Sequence, residues 1–405
     1  MSKRILILCD TIAPPAFAPR VVTLCRHLCR AGMDCAVFSD LEEQAEPFSA
    51  PFGEWYATKY YHRFPHLRYL ADKLFGARER HFQTFIEKTV HVADFDAIVC
   101  TTCYYFPLQT TLRLAQKYHK PFIVDLRDIA EQWGDVPYRT HSISHLPWLD
   151  KWLHRGFVAT NLLIRNKVLA AANDVVTISP WHKDVLSRFN PNTHLIYNGF
   201  DEQDFIPKNE KSDKFVISYS GKLYNTRFRD PRLLFAALQD LLRNQQILRK
   251  DIELVFHIDQ GSIEQMRQLI ADYGLQDIAS VSGYIPKAQL LPLLHRSSVL
   301  LVLTCKSTPN GAHGIMGTKF FEALGVEKPV LCVRSDEECL AQVIQLTNAG
   351  LAATNVEDVK TFIRDKYHEW QTNGFTHQPV RDKHIFTRQY QAKQFESIIC
   401  QLIHL

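Results

Sequence analysis

Apolar residues recur along this chain in short unbroken runs, Ile5-Leu6-Ile7-Leu8 being the first, each followed by a stretch where they return every third or fourth position. A strand covered on both faces reads as a continuous apolar run, and an amphipathic helix reads with a period of about 3.6. The alternation predicts strands at residues 4–9, 34–39, 97–101, 121–125 and 175–179. A helix is expected at 20–31, where Val21, Leu24, Cys25 and Leu28 share a face and Gly32 ends the run. The pattern then breaks where Leu195-Ile196-Tyr197 meets Asn198-Gly199 and a polar stretch containing Pro207. It restarts with strands expected at 215–220, 253–258, 279–283, 299–304 and 329–333. The reading is an α/β protein of two Rossmann-like doubly wound domains, 1–197 and 198–385, with a closing amphipathic helix, 386–405, crossing back to the first.

A length of 405 residues accommodates two cores, and 46% hydrophobic with 22% charged residues is ordinary for a folded chain. The net charge of +4, from 47 basic and 43 acidic residues, is too mild and too interspersed to point to nucleic acid as a partner. The ten cysteines lie mostly in apolar runs and form no CxxC. Cys25 and Cys29 fall one helical turn apart on a helix without histidine or carboxylate at ligand spacing, so the cysteines read as reduced core thiols and the location as cytoplasmic. No apolar run reaches the roughly 18 residues of a membrane span, and the first is too short for a signal peptide. Two stretches mix aromatic and basic residues: 55–85, with Tyr60, Tyr61, Phe64, Arg68, Tyr69, Arg78 and Arg80, and 148–165, with Trp152, Arg155, Phe157, Leu162 and Leu163. Both read either as amphipathic helices packed on a sheet or as a peripheral contact with the inner membrane surface.

Open parallel sheets bind ligands beyond the carboxyl ends of their strands. After the strand at 299–304 comes Gly311-Ala312-His313-Gly314-Ile315-Met316-Gly317-Thr318-Lys319, leading into a helix. Its glycines permit close backbone approach, Thr318 is a candidate cap, and the helix-start N–H groups with Lys319 suit a diphosphate; the competing reading is a loop that needs glycines only to turn. Glu322 lies three residues after Lys319 on the same helical face, placed either to accept hydrogen bonds from a ribose or simply to complement the helix dipole. After the strand at 215–220, Gly221, Lys222, Arg227 and Arg229 form a second cationic segment, either a diphosphate site or solvated loop charge.

The run Val175-Val176-Thr177-Ile178-Ser179, Asn198-Gly199-Phe200-Asp201, Gly221-Lys222-Leu223 and Lys319-Phe320-Phe321-Glu322-Ala323-Leu324-Gly325 to Val330 together resemble the retaining glycosyltransferases of family 4, with the GT-B fold. The likeness extends over nearly the whole chain and is strongest from 174 to 351. It implies an enzyme transferring a sugar, with retention, from a nucleoside diphosphate sugar to an acceptor hydroxyl on a saccharide or lipid-linked acceptor, in polysaccharide or glycolipid synthesis. It implies two domains facing across a cleft, the first for acceptor and the second for donor, and no cofactor beyond the donor.

Residue by residue, the resemblance makes Lys222 and Arg227 the pair contacting the donor diphosphate. Glu322 becomes the second glutamate of the E-x7-E motif, which holds the ribose. The first glutamate would fall at 314, where this chain has Gly314, so the sugar contact passes to the backbone N–H groups of Ile315, Met316 and Gly317 or to His313. That departure also leaves a second reading, a non-catalytic protein binding nucleotide sugar or a partner. Asp125-Leu126-Arg127-Asp128 is similar to an Asp-x-Arg-Asp on the acceptor side, where Arg127 or Asp128 orients the acceptor hydroxyl or supports the departing phosphate, the alternative being an Arg-Asp pair closing a loop. Arg20, at a helix start, is expected beside them. No Asp-x-Asp pair stands in the donor loops, so Lys222, Arg227, Lys319 and the helix N-terminus are expected to balance the phosphates without a metal.

Overall fold

The computed structural model describes residues 2–10, 19–41, 49–62, 64–133, 147–223, 229–304, 312–333 and 338–404. Two compact units are present: Met1–Gln132, Pro137–Tyr197 and Arg388–Leu405 make the first, and Asn198–Thr387 with Trp133–Val136 the second.

The first unit runs β1 (Arg4–Cys9), α1 (Pro19–Arg30), β2 (Asp34–Asp40), β3 (Glu54–Thr58), α2 (Pro65–Phe75), α3 (Ala77–Thr89), β4 (Ala97–Thr102), α4 (Leu108–Tyr118), β5 (Phe122–Leu126), α5 (Pro147–Ala171), β6 (Asp174–Thr177), α6 (Pro180–Leu186) and β7 (Thr193–Leu195). The sheet is parallel in the order β3-β2-β1-β4-β5-β6-β7. Both faces are covered, which explains the unbroken apolar runs: in β1, Ile5, Ile7 and Cys9 enter one core cluster, and Leu6 and Leu8 the other. β3 carries no such run. It is a half-buried edge strand, Glu-Trp-Tyr-Ala-Thr, and hydrophobic patterning passes over it.

The second unit runs β8 (Phe215–Gly221), α7 (Arg232–Arg243), β9 (Ile252–Ile258), α8 (Ile263–Asp272), β10 (Ala279–Ser282), α9 (Lys287–Arg296), β11 (Val299–Leu303), α10 (Thr318–Val326), β12 (Val330–Val333), α11 (Cys339–Thr347), β13 (Gly350–Ala353) and α12 (Val356–Asn373). Its sheet is also parallel, ordered β10-β9-β8-β11-β12-β13. The last helix, α13 (Arg388–His404), belongs to the first unit. There Phe395, Ile398 and Ile399 pack with Val21, Leu24 and Leu28 of α1, and His27 Nε2 lies 2.7 Å from Glu396 Oε2.

In both sheets the strand order reverses beside the first strand of the unit, between β1 and β4 and between β8 and β11. Crevices at such reversals, beyond the carboxyl ends, are where doubly wound sheets hold ligands. Among the described residues no helix is long and apolar enough to cross a membrane, and the nine described cysteines are free thiols.

Candidate functional site

At the first reversal Asp10 follows β1. It accepts the Cys103 backbone N–H (2.9 Å) and a hydrogen bond from Arg127 Nη2 (2.9 Å). Arg127 therefore pairs across the sheet with Asp10 rather than with its neighbours Asp125 and Asp128, and Asp10 is a member of the site that motif reading missed. Its only signal was its place directly after the first strand.

Arg20, in the first turn of α1, donates to both carboxylate oxygens of Asp125 (3.1 and 3.0 Å) and to the carbonyls of Ile196 (3.0 Å) and Tyr197 (2.8 Å). Thr101 donates to the same carboxylate at 2.8 Å. Arg20 and Asp125 are 7% and 2% exposed, so this is a closed internal pair whose charges are met within the unit. Asp128 is half-buried and takes a hydrogen bond from the Gln132 side chain at 3.1 Å. Burial pushes its carboxyl up to about 6, against the lowering effects of Gln132 and Arg127.

Beside it, the buried Arg165 grips Glu131 through two hydrogen bonds of 2.6 and 2.7 Å. His182, at the start of α6, is fully buried, with neither ring nitrogen hydrogen-bonded among the described residues, and burial pulls it down to about 4. Glu131 and His182 were also not found from sequence, since neither sits in a motif; both follow strand ends.

At the second reversal Gly221 ends β8 and Lys222 follows with an exposed side chain. The turn is fixed from behind. The Tyr219 hydroxyl donates to the Lys222 carbonyl at 3.0 Å, and the Arg229 guanidinium donates to the same oxygen. The Leu223 N–H and the Ser262 hydroxyl both donate to Asp259, at 2.7 Å each. Arg227 and Gly311 lie outside the described residues.

From Ala312 the chain enters α10. His313 Nδ1 lies 2.8 and 3.1 Å from the two oxygens of Glu338, a carboxylate at the start of α11 that sequence reading had not singled out. Gly314 has φ of +65°, the left-handed region, so a glutamate at this position would be strained. Met316 turns into the core at 3% exposure, and Ile315 is half-buried. The residue capping α10 is Gly317, not Thr318: Thr318 is the first helical residue and cannot cap the helix it has already entered. Lys319 Nζ donates to Glu322 Oε2 at 3.1 Å, as their i,i+3 spacing requires.

The aromatic and basic stretches divide. Tyr60 is buried, Tyr61 donates to Asp72 at 2.9 Å and Arg78 to Asp40 at 2.6 Å, so these form internal structure. Phe64 (73% exposed), Leu67 (67%) and Leu70 (54%), at and after the start of α2, and Trp148 (68%) and Trp152 (69%) on α5 face outward.

A family model described as Glycosyltransferase Family 4 matches residues 18–204, and one described as Glycosyl transferases group 1 matches residues 200–372. No curated protein matches the sequence. Among solved structures, a sucrose-phosphate synthase from Thermosynechococcus elongatus is similar with TM-score 0.68 and 16% identity, over 99% of this chain and 100% of that one. Anabaena HepE, in complex with UDP and glucose, has TM-score 0.61 and 13% identity over 98% and 100%. The lipopolysaccharide outer core galactosyltransferase WaaB in its apo form has TM-score 0.58 and 13% identity over 98% and 99%. The fold they share is GT-B.

Proposed function

This chain belongs to the family 4 glycosyltransferases, and from that premise we propose that it moves a sugar from a nucleoside diphosphate sugar to an acceptor hydroxyl with retention of configuration, without a metal. The observation that carries this is the pairing of chemistry at the β8/β11 reversal. An exposed Lys222 directly follows one strand, and the other is followed by the left-handed Gly314 and by the first turns of α10, with Lys319 and Glu322 on one face. Lys222, Lys319 and the helix-start N–H groups of Thr318 and Lys319 suit the diphosphate, as leaving-group charge develops on it. Glu322, released from Lys319 as that lysine turns to phosphate, is suited to accept from the ribose hydroxyls. Arg227 is assigned to the same diphosphate from its family position. Backbone N–H groups of Ile315 to Gly317, with His313 held by Glu338, are assigned to the sugar.

On the acceptor side, Asp128 is the group for the acceptor hydroxyl, and Arg127, fixed by Asp10, supports it; the closed Arg20–Asp125 pair braces them. HepE's complex with UDP makes uridine nucleotides the first probes. The acceptor is read as a saccharide or lipid-linked hydroxyl presented at a membrane surface, supported by the outward Phe64, Leu67 and Leu70.

Sugar transfer or donor hydrolysis is to be measured with and without chelator, with the anomeric configuration of the product read by NMR. The rate is expected to persist in chelator; a rate lost and restored by magnesium, or an inverted product, overturns the mechanism. Binding to vesicles of anionic lipid, lost in Leu67→Glu/Leu70→Glu, tests the surface.

A further inference from the structure

Cys25 and Cys29 stand one turn apart on α1, and Cys35 is the second residue of β2. The alternation of β2 sends Cys35 and Val37 to the face on which α1 lies, and Ala36 and Phe38 to the other. All three sulfur atoms consequently lie within 4.8 Å of one another. A cation bound by thiolates at about 2.3 Å holds its sulfurs about 4 Å apart, so little movement separates this cluster from a ligand set. Cys25 and Cys35 are buried and Cys29 is half-buried, which leaves one side open for entry.

Backbone also borders the cluster. At Gly53, with φ of +68°, a Cβ would meet Cys25 Sγ at 2.8 Å and the Cys35 carbonyl oxygen at 3.1 Å. The Gly53 backbone therefore lies directly against the Cys25 sulfur, with no room there for a side chain. The cluster contains no carboxylate or imidazole, so the donor set is uniformly soft. One buried thiol is accounted for as a small hydrophobe; three sulfurs converging from two elements onto one point are not.

We propose that Cys25, Cys29 and Cys35 form a binding site for one soft divalent d10 cation, of the zinc and cadmium class, that ties α1 to β2. Binding is a ligand exchange without redox change. Three thiol protons pass to solvent, three sulfur–metal bonds form, and the site is left with one net negative charge. Because Arg20, in the first turn of α1, holds Asp125 through its guanidinium, the cation fastens the far end of the helix that braces the first sheet's carboxyl edge.

The test uses the full chain, reduced and stripped of metal, titrated with Zn²⁺ or Cd²⁺ alone. The expected result is one ion per chain, an ultraviolet sulfur-to-cadmium charge-transfer band, and protection of these three cysteines from alkylation as mapped by mass spectrometry. The midpoint of thermal unfolding should rise by several degrees at about a hundred times the dissociation constant. Cys29→Ser, at the half-buried position, is expected to weaken binding at least tenfold, roughly the loss of one ligand; Cys400→Ser should leave it unchanged. The alkylation map needs no variant, so a poorly folding mutant does not blunt the test. Absence of a stoichiometric ion, binding untouched by Cys29→Ser, or a disulfide among the three in the isolated protein overturns the proposal.

Discussion

At the carboxyl edge of the first sheet the charged side chains are largely buried against one another, whereas at that of the second Lys222 is exposed and Lys319 is only partly covered by its partner Glu322. Arg20 is closed on Asp125, Arg127 on Asp10 and Arg165 on Glu131, with Arg20, Asp125 and Arg165 all nearly inaccessible to solvent. Lys222 is exposed, and the Lys319 side chain retains 40% of its exposure beside Glu322. A charge withdrawn from water demands a partner, and the partner then becomes part of the fold's stability. A solvated charge is nearly neutral to stability and is available to a ligand. The same parallel topology has thus produced one edge whose charges are closed into the fold and another that leaves Lys222 and Lys319, the residues proposed to meet the donor diphosphate, partly in solvent.

Each of four changes would break or sharpen that contrast. The largest effect is expected from Arg20→Ala, which leaves Asp125 buried without its cation and should cost about 3–5 kcal/mol in denaturant unfolding; a cost below about 1 kcal/mol would mean the edge is not scaffold. Next, Lys222→Ala/Glu322→Ala should weaken uridine diphosphate binding by at least about a hundredfold in calorimetry, at about 1.5–3 kcal/mol per charged hydrogen bond lost, while moving stability by less than about 0.5 kcal/mol. A large loss of stability with binding intact would reverse the assignment of the two edges.

Third comes Asp128, the one group of the first edge proposed to act rather than brace. With its carboxyl raised to about 6, the rate should fall about tenfold per pH unit below that point, and Asp128→Asn should remove this limb. The folded state keeps a proton between about pH 4 and 6 that the unfolded chain has released, so this group's contribution to stability declines as pH rises across the window. The smallest effect is expected at the second edge's loop. Gly314→Ala, forced into φ of +65°, should lower stability by about 1 kcal/mol, read as a drop of a few degrees in thermal unfolding.

Much of this molecule was legible before its coordinates. The unbroken apolar runs marked the buried strands because both faces of each sheet are covered, and the spacing of Val21, Leu24, Cys25 and Leu28 marked the buried face of α1. Strands without such runs, β3 and β13, escaped notice: one is a half-buried edge, and the other a Gly-Leu-Ala-Ala segment with little to distinguish it. The Lys319–Glu322 contact was readable because one helical turn fixes it locally. Thr318 as a cap was misjudged because a cap is defined by where the backbone first turns helical, a boundary that side-chain type does not settle.

Local order, then, was written in the chain: which segments are strands, which helical face is buried, and where glycines and lysines follow strand ends. Partnership was not. Arg20 meets carbonyls 176 and 177 residues away, Asp10 meets Arg127 across 117, and Cys35 joins Cys25 and Cys29 only because β2 presents its odd-numbered residues to α1. These meetings depend on strand order and register, which are set by how whole sheets bury their two faces; no short window of sequence holds both members of the Arg20 and Asp10 pairs, and the three cysteines, although all within the stretch 25–35, meet only once β2 is laid against α1.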